Sequence, residues 1–433
     1  MDKSIWSETA QGKKGFKKLD KDINCDVLVI GGGMAGIITA YYLMKEGRRV
    51  VVVEGNKIGS GMTANTTAVI TAQHDMLYKD LIKYYGEKKA KDYLQANLQA
   101  VEQFKSLVNE ENLDCDFEIT PSYLYSREYM LDDEIKALKQ LGYEAELVYE
   151  SDLPYEIRSA VKFNDMAQFH PLKFLYGLAE KLTIYEDTMV KKIKGNMAYT
   201  DNSKIQFKQA VVASHFPFIN THGWFFIKMF QKRSYVMALT GIDKFNGTYI
   251  DDKEEGFYFR SYNDYLIVGK GEHRTGTKTK SLAELKAFKE KFYPEAEIKC
   301  VWANQDCVTL DDMPYIGKYG NLNNVYVTTG FNLWGMTGSM TGSMILKDIM
   351  CGRQNEFAKT FSSKRSILRL QLLANIGAVV GNMLIPTIKR CPHLGCALKY
   401  NKREHSWDCS CHGSRFESNG KMINNPAVKD TKL

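Results

Sequence analysis

Charge of one sign is scarce in this sequence of 433 residues, whose formal net charge is only +7, with Lys and Arg mixed among Asp and Glu along most of the chain. So mild a balance argues against a nucleic-acid partner. Long apolar runs are missing too. The longest weakly charged one, Leu370 to Ile388, is broken by Gln371, Asn375, Asn382 and Pro386, so it reads as a buried or interfacial helix and not as a membrane span. Met1 to Lys21 intersperses Lys and Asp without an apolar core or small-residue cleavage site, so no secretory signal and a cytoplasmic setting are expected. Repeats and low-complexity tracts are absent, and with 44% hydrophobic and 25% charged residues the chain is neither disordered nor collagen-like. Its length predicts two or three domains.

Asp26 to Ile30 is a short β-branched run of the kind buried on both faces of a parallel sheet. It runs into Gly31-Gly32-Gly33-Met34-Ala35-Gly36, then a helical pattern from Ile37 to Lys45, then a strand, Arg49 to Val53, ending in Glu54. Gly31 allows the tight turn, Gly33 lets the backbone approach a pyrophosphate, and Gly36 lets helix pack on strand. Glu54 stands where a carboxylate accepts ribose hydroxyls. This is a dinucleotide site, and by itself it does not choose between FAD and NAD.

Two later segments bear on that choice. Gly59 to His74 is a loop of small and hydroxyl residues, and Asp311 to Gly317 precedes a strand, Val325 to Thr329, a glycine-bordered loop Gly330 to Gly335, and a helix beginning near Met336 or Thr337. With Phe169-His170-Pro171-Leu172 opening a helix and the strand Ala210 to Ser214 ending at His215, the chain over about residues 24 to 355 resembles the D-amino-acid oxidase/glycine oxidase family of FAD-dependent oxidoreductases. The resemblance implies a Rossmann-like α/β FAD-binding domain (about 24–80, 151–225 and 300–357) interrupted by an α+β substrate domain (about 84–150 and 230–298). It also implies Thr66 and Thr67 near the flavin ring, Val190 near the adenine, and Gly330, Gly335, Met336 and Thr337 around the flavin and ribityl chain.

The nine cysteines are unevenly spread: Cys391-Pro392-His393-Leu394-Gly395-Cys396 and Cys409-Ser410-Cys411-His412-Gly413-Ser414 put four of them in the last 43 residues. Cys and His at such spacing also bind zinc, but six potential ligands in two loops fit zinc poorly. The pattern resembles the Rieske [2Fe-2S] family. That resemblance implies Cys391 and Cys409 on one iron, His393 and His412 on the other, and a disulfide between Cys396 and Cys411. His405 reads as a solvated surface residue. The expected domain, 389–433, is all-β and short, because a helical linker (358–388) leads almost directly into Cys391 where supporting strands are usual, so the cluster is expected to lean on the flavin domain. Ser410 stands in place of a proline. Phe416 stands in place of the tyrosine that raises the potential of some members, which implies a potential toward the lower part of the Rieske range.

A two-electron cofactor beside a one-electron cluster implies electron passage between them. The leading expectation is an amine or amino-acid dehydrogenase whose FAD is reoxidised through the cluster by an external carrier: ferredoxin, flavodoxin or quinone. Reverse flow from cluster to flavin, or a non-catalytic redox sensor, remains open. Candidate substrate-side residues are Arg260, flanked by Tyr258 and Tyr262 at strand parity and suited to a substrate carboxylate, together with His74 and His215 at the ends of cofactor-facing segments. Lys389, Arg390, Lys399, Lys402 and Arg403 surround the first cluster loop, either as a solvated basic face or to steer an acidic carrier.

Overall fold

Valine-rich strands that can tolerate burial on both sides build the first sheet. In the computed structural model, which describes residues 1–10, 15–366 and 370–433, Ile23–Ile30 lies at the centre of a parallel array. Val50–Val53 and then Thr183–Tyr185 follow on one side, Lys204–Val212 and then Val325–Thr329 on the other. The helix Met34–Lys45 crosses over the array and packs on the helix Gly335–Met350. His170 caps the helix Pro171–Ala179, its Nδ1 accepting the N–H of Lys173 at 3.2 Å.

The second sheet has eight strands in the order Glu297–Thr309, Met229–Thr240, Tyr265–Arg274, Phe257–Tyr262, Thr248–Asp251, Ser122–Ser126, Ser159–Phe163, Glu146–Val148. One of these lies outside the segments expected to form the substrate domain and another runs beyond their end. Ser159–Phe163 and Glu297–Thr309 pair into this sheet although the sequence reading gave 151–225 and 300–357 to the FAD-binding part. The reason is length. The thirteen-residue strand Glu297–Thr309 pairs with all twelve residues of Met229–Thr240, so a single strand runs past the expected boundary.

The chain start is part of the core as well. The helix Ile5–Thr9 buries Ile5 and Trp6, and the Trp6 indole donates to the Thr66 carbonyl at 2.6 Å.

At the other end, four short antiparallel strands form a meander: Leu398–Asn401, Ser406–Cys409, Arg415–Glu417 and Met422–Asn424. The expected linker 358–388 includes 367–369, which lie outside the described residues; a helix occupies Leu370–Leu384. Among the described residues no helix is long and apolar enough to cross a membrane.

Candidate active site and iron–sulfur centre

The first glycine turn is as tight as its sequence requires. A Cβ on Gly31, which has φ +116°, would meet the Ala213 carbonyl oxygen at 2.4 Å, and one on Gly36 would meet the Gly31 oxygen at 1.9 Å. Glu54 accepts the N–H groups of Gly32 and Asn56, both at 2.8 Å, and burial raises its carboxyl above the usual range. A cleft of about 380 Å³ opens over this turn. Gly31, Gly33, Glu54, Thr66, Val190, His215, Gly335 and Met336 all reach its wall. Gly36, Gly330 and Thr337 do not line it. Gly36 serves helix packing, Gly330 lies where a Cβ would meet the Thr309 methyl at 2.4 Å, and Thr337 bonds the Thr71 carbonyl at 3.2 Å.

A second chamber of about 80 Å³ shares Thr66, Leu333 and Met336 with the first, so the two adjoin. Thr67, Tyr258, Arg260 and Trp334 line it, as do two carboxylates the sequence reading missed, Asp75 and Glu272. Burial pushes Asp75 up to about 6 and Glu272 up to about 8, the latter against the pull of Lys232 at 3.4 Å.

The structure corrects the role expected of Arg260. Its Nη1 donates to the carbonyls of Thr67 (2.6 Å), Ala68 (2.9 Å) and Phe169 (3.3 Å), and the guanidinium sits 5.1 Å from the Trp6 ring. With Nε also on the Ser261 carbonyl at 3.5 Å, the side chain fastens the loop under the chamber and does not present a free two-armed fork to a carboxylate. His74 is corrected likewise. It bonds the Tyr93 hydroxyl at 2.7 Å, the Thr71 carbonyl at 2.9 Å and Thr337 Oγ1 at 3.2 Å, lies outside both cavities, and is stacked on Trp334 at 4.5 Å. Burial depresses it to about 3, so it is a neutral prop for Trp334. His215 lines the larger cleft, not the second chamber, and its Nε2 is buried without a hydrogen-bond partner.

The two C-terminal loops meet beside Phe216, the residue after His215. Cys391 and Cys409 are buried close together. A hydrogen bond between the two sulfurs, with the N–H groups of His393 and Leu394 and the Ser414 hydroxyl, holds Cys391 below the usual thiol range. The His393 and His412 rings lie 4.9 Å apart, and burial depresses them to about 4 and about 3, keeping both in the neutral form that ligates metal. Nδ1 of His393 and both ring nitrogens of His412 are buried with no protein partner. Two soft sulfurs and two orphaned imidazoles are the donor set of a mixed-ligand iron–sulfur centre. Nε2 of His393 is fixed by Asn220 Oδ1 at 2.8 Å, and a disulfide joins Cys396 to Cys411.

The chain matches the family described as FAD dependent oxidoreductase over residues 26–349 and the Rieske [2Fe-2S] domain over 359–433. It belongs to the FAD-dependent oxidoreductase family. FAD and a [2Fe-2S] cluster are the cofactors of these two domains. This oxidoreductase is 32% identical to the putative Rieske 2Fe-2S iron-sulfur protein YhfW of Bacillus subtilis, over 98% of this chain and 96% of that one. It is 23% identical to the gamma-glutamylputrescine oxidoreductase of Escherichia coli, over 49% of this chain and 54% of that protein. Its fold is that of glycine oxidase from Geobacillus kaustophilus, with a TM-score of 0.67 at 17% identity, covering 79% of this chain and 99% of that one.

A hydrogen-bonded seam joins the cluster loops of the oxidoreductase to its flavin part. Gln231 Nε2 donates to the His412 carbonyl at 2.6 Å, and Gln305 Nε2 donates to Gln231 Oε1 at 2.6 Å and to the Gly413 carbonyl at 2.8 Å. The His215 ring faces Gln231 and the Gln305 backbone. Gly413, at φ +88°, is required there, because a Cβ would strike the Gln231 side chain at 2.6 Å. Arg415, Asn424, Asn425 and Ala427 of the cluster domain form part of the wall of the FAD cleft. These seam residues were not legible from motif spacing, because their partners lie in the C-terminal loops, far away in the chain.

Proposed function

We propose that this protein oxidises a C–N bond of a small amine or amino acid at FAD and passes the electrons through the Rieske cluster to an external carrier, a ferredoxin, flavodoxin or quinone. The observation that carries this reading is the seam in which Gln231, faced by the His215 ring of the cleft wall, donates to the His412 carbonyl. When bound, FAD supplies two-electron oxidation and the cluster single-electron exchange. The protein's own part is positional. Gly31, Gly33 and Glu54 would hold the dinucleotide, with Thr66, Val190, Gly335 and Met336 along its length. Cys391, Cys409, His393 and His412 would hold the cluster.

The second chamber supports an amine more than an amino acid. Asp75 and Glu272 present carboxylates to it, while the Arg260 Nη1 is bonded to backbone carbonyls. An ammonium entering such a lining would draw these carboxyls toward their ionised form and pair with them, whereas a substrate carboxylate would find no free guanidinium fork there. A cytoplasmic setting is supported by five cysteines that stay unpaired outside the cluster loops, Cys25, Cys115, Cys300, Cys307 and Cys351.

The test is an anaerobic screen of amines and amino acids that follows flavin bleaching in the native protein and in Cys409→Ala. The variant is expected to bleach with the same substrate at an unchanged rate but to lose turnover with a one-electron carrier. Full turnover with that carrier after the substitution would exclude the route through the cluster.

A further inference from the structure

The helix Leu370–Leu384 is built inside out. Its inner face carries the polar groups: Asn375, 3% exposed, accepts from Arg274 at 2.8 Å and donates to the Ile227 carbonyl at 2.8 Å, while Asn382 accepts from Ser410 Oγ at 2.9 Å. Val379 and Met383 on the same face pack against the cluster-domain core. The outer face is apolar. Leu373, Ile376, Val380 and Leu384 recur along it at helical spacing, and Ile385 and Ile388 continue the ridge, with Leu384 76% and Ile388 89% exposed. An ordinary surface helix does the reverse, so this ridge is shaped for an apolar covering.

Charge identifies the covering. From 370 to 388 the sequence has no charged residue, yet from 370 to the end it has nine Lys and Arg against four Asp and Glu. Two of those acids, Glu404 and Asp408, are consumed in buried ion pairs with Arg415, leaving the exposed balance more basic still. Arg390 closes the C-terminal end of the helix, its guanidinium donating to the carbonyls of Met383 and Ile385, both at 2.8 Å. Lys389 lies beside it, 3.9 Å from the Trp407 ring. A second copy seated on this ridge would bring two basic domains together, and an acidic carrier would be recognised by charge without an apolar ridge. An apolar ridge bordered by cations fits the headgroup layer of an anionic bilayer.

We propose that Leu370–Leu384 and the turn through Ile388 lie in the plane of an anionic phospholipid membrane, with the ridge immersed and Lys389 and Arg390 at the headgroups. The inference is independent of the substrate and of the direction of electron flow. The full-length holoprotein is sedimented with vesicles of phosphatidylcholine alone and of equal parts phosphatidylcholine and phosphatidylglycerol. Binding is expected to be roughly tenfold stronger to the anionic vesicles, weakened by salt, and to fall about tenfold in Val380→Glu, since one large aliphatic side chain is then left unburied. Flavin absorbance and the cluster's electron paramagnetic resonance signal report whether that variant stays folded. Leu384→Trp provides a reading that does not depend on a disruptive charge: its fluorescence is expected to be quenched by brominated acyl chains in anionic vesicles beyond that of the native protein. Absence of that extra quenching overturns the proposal. So does a lipid-free dimer that Val380→Glu dissociates, which would assign the ridge to a second copy.

Discussion

Phe416 is fully buried among Cys391, Cys396, Cys409 and Cys411, and its ring has no donor to give a sulfur, whereas Ser414 two residues earlier does donate to Cys391. Each hydrogen bond to a ligand sulfur stabilises the reduced, more negative cluster, so one such bond is missing here. Phe416→Tyr is expected to raise the potential by on the order of 40 mV, the equivalent of a hydrogen bond worth about 1 kcal/mol for one electron. Potentiometric titration of the cluster signal measures it. A second residue-level expectation concerns pH. Burial lifts Glu272 to about 8 and Asp75 to about 6, so the folded chain keeps protons that the unfolded chain has released. That stability is present at acid pH and is lost as pH climbs from about 5 through about 8. Thermal unfolding followed by flavin fluorescence is expected to show a midpoint that falls across this window, and falls less in Glu272→Gln. The cluster ligands could be read from sequence because four residues in two short loops carry the whole donor set. Arg260 was misread for the opposite reason: strand parity puts it on the right face, but the carbonyls that occupy its Nη1 come from residues 67, 68 and 169, far away in the chain.

The four-stranded meander is held to the second sheet by ions that its own short strands do not need. Glu404, in the turn after Leu398–Asn401, takes Arg233 of Met229–Thr240 on one side and Arg415 on the other, at 2.7 Å for the latter, and all three are nearly buried. Removing the shared carboxylate leaves the buried Arg233 without a counter-charge, while Arg415 keeps Asp408 at 2.9 Å. Glu404→Ala is therefore expected to cost about 3–5 kcal/mol, visible in the unfolding of the cluster domain by near-ultraviolet dichroism. Periodicity made the strand Ile23–Ile30, the helix Met34–Lys45 and the strand Val325–Thr329 legible, since each is set by local burial. The extent of Glu297–Thr309 and the pairing of Ser159–Phe163 were not, because partner strands come from distant sequence.

At the scale of the whole molecule, no strand of the cluster domain precedes Cys391 among the described residues, and other parts of the chain take that place. Asn220, Gln231, Arg274 and Gln305 of the flavin part, with the helix Leu370–Leu384, bond the loops that separate strands would otherwise brace. Arg274 alone donates to the carbonyls of Ser410 and Cys411, at 2.7 and 2.8 Å. The cluster module is thus held by two parts of the chain at once. To swing away from the cleft it would have to give up the bonds from Asn220, Gln231, Arg274 and Gln305 together, so in this structure the centre is a fixture and not a shuttle.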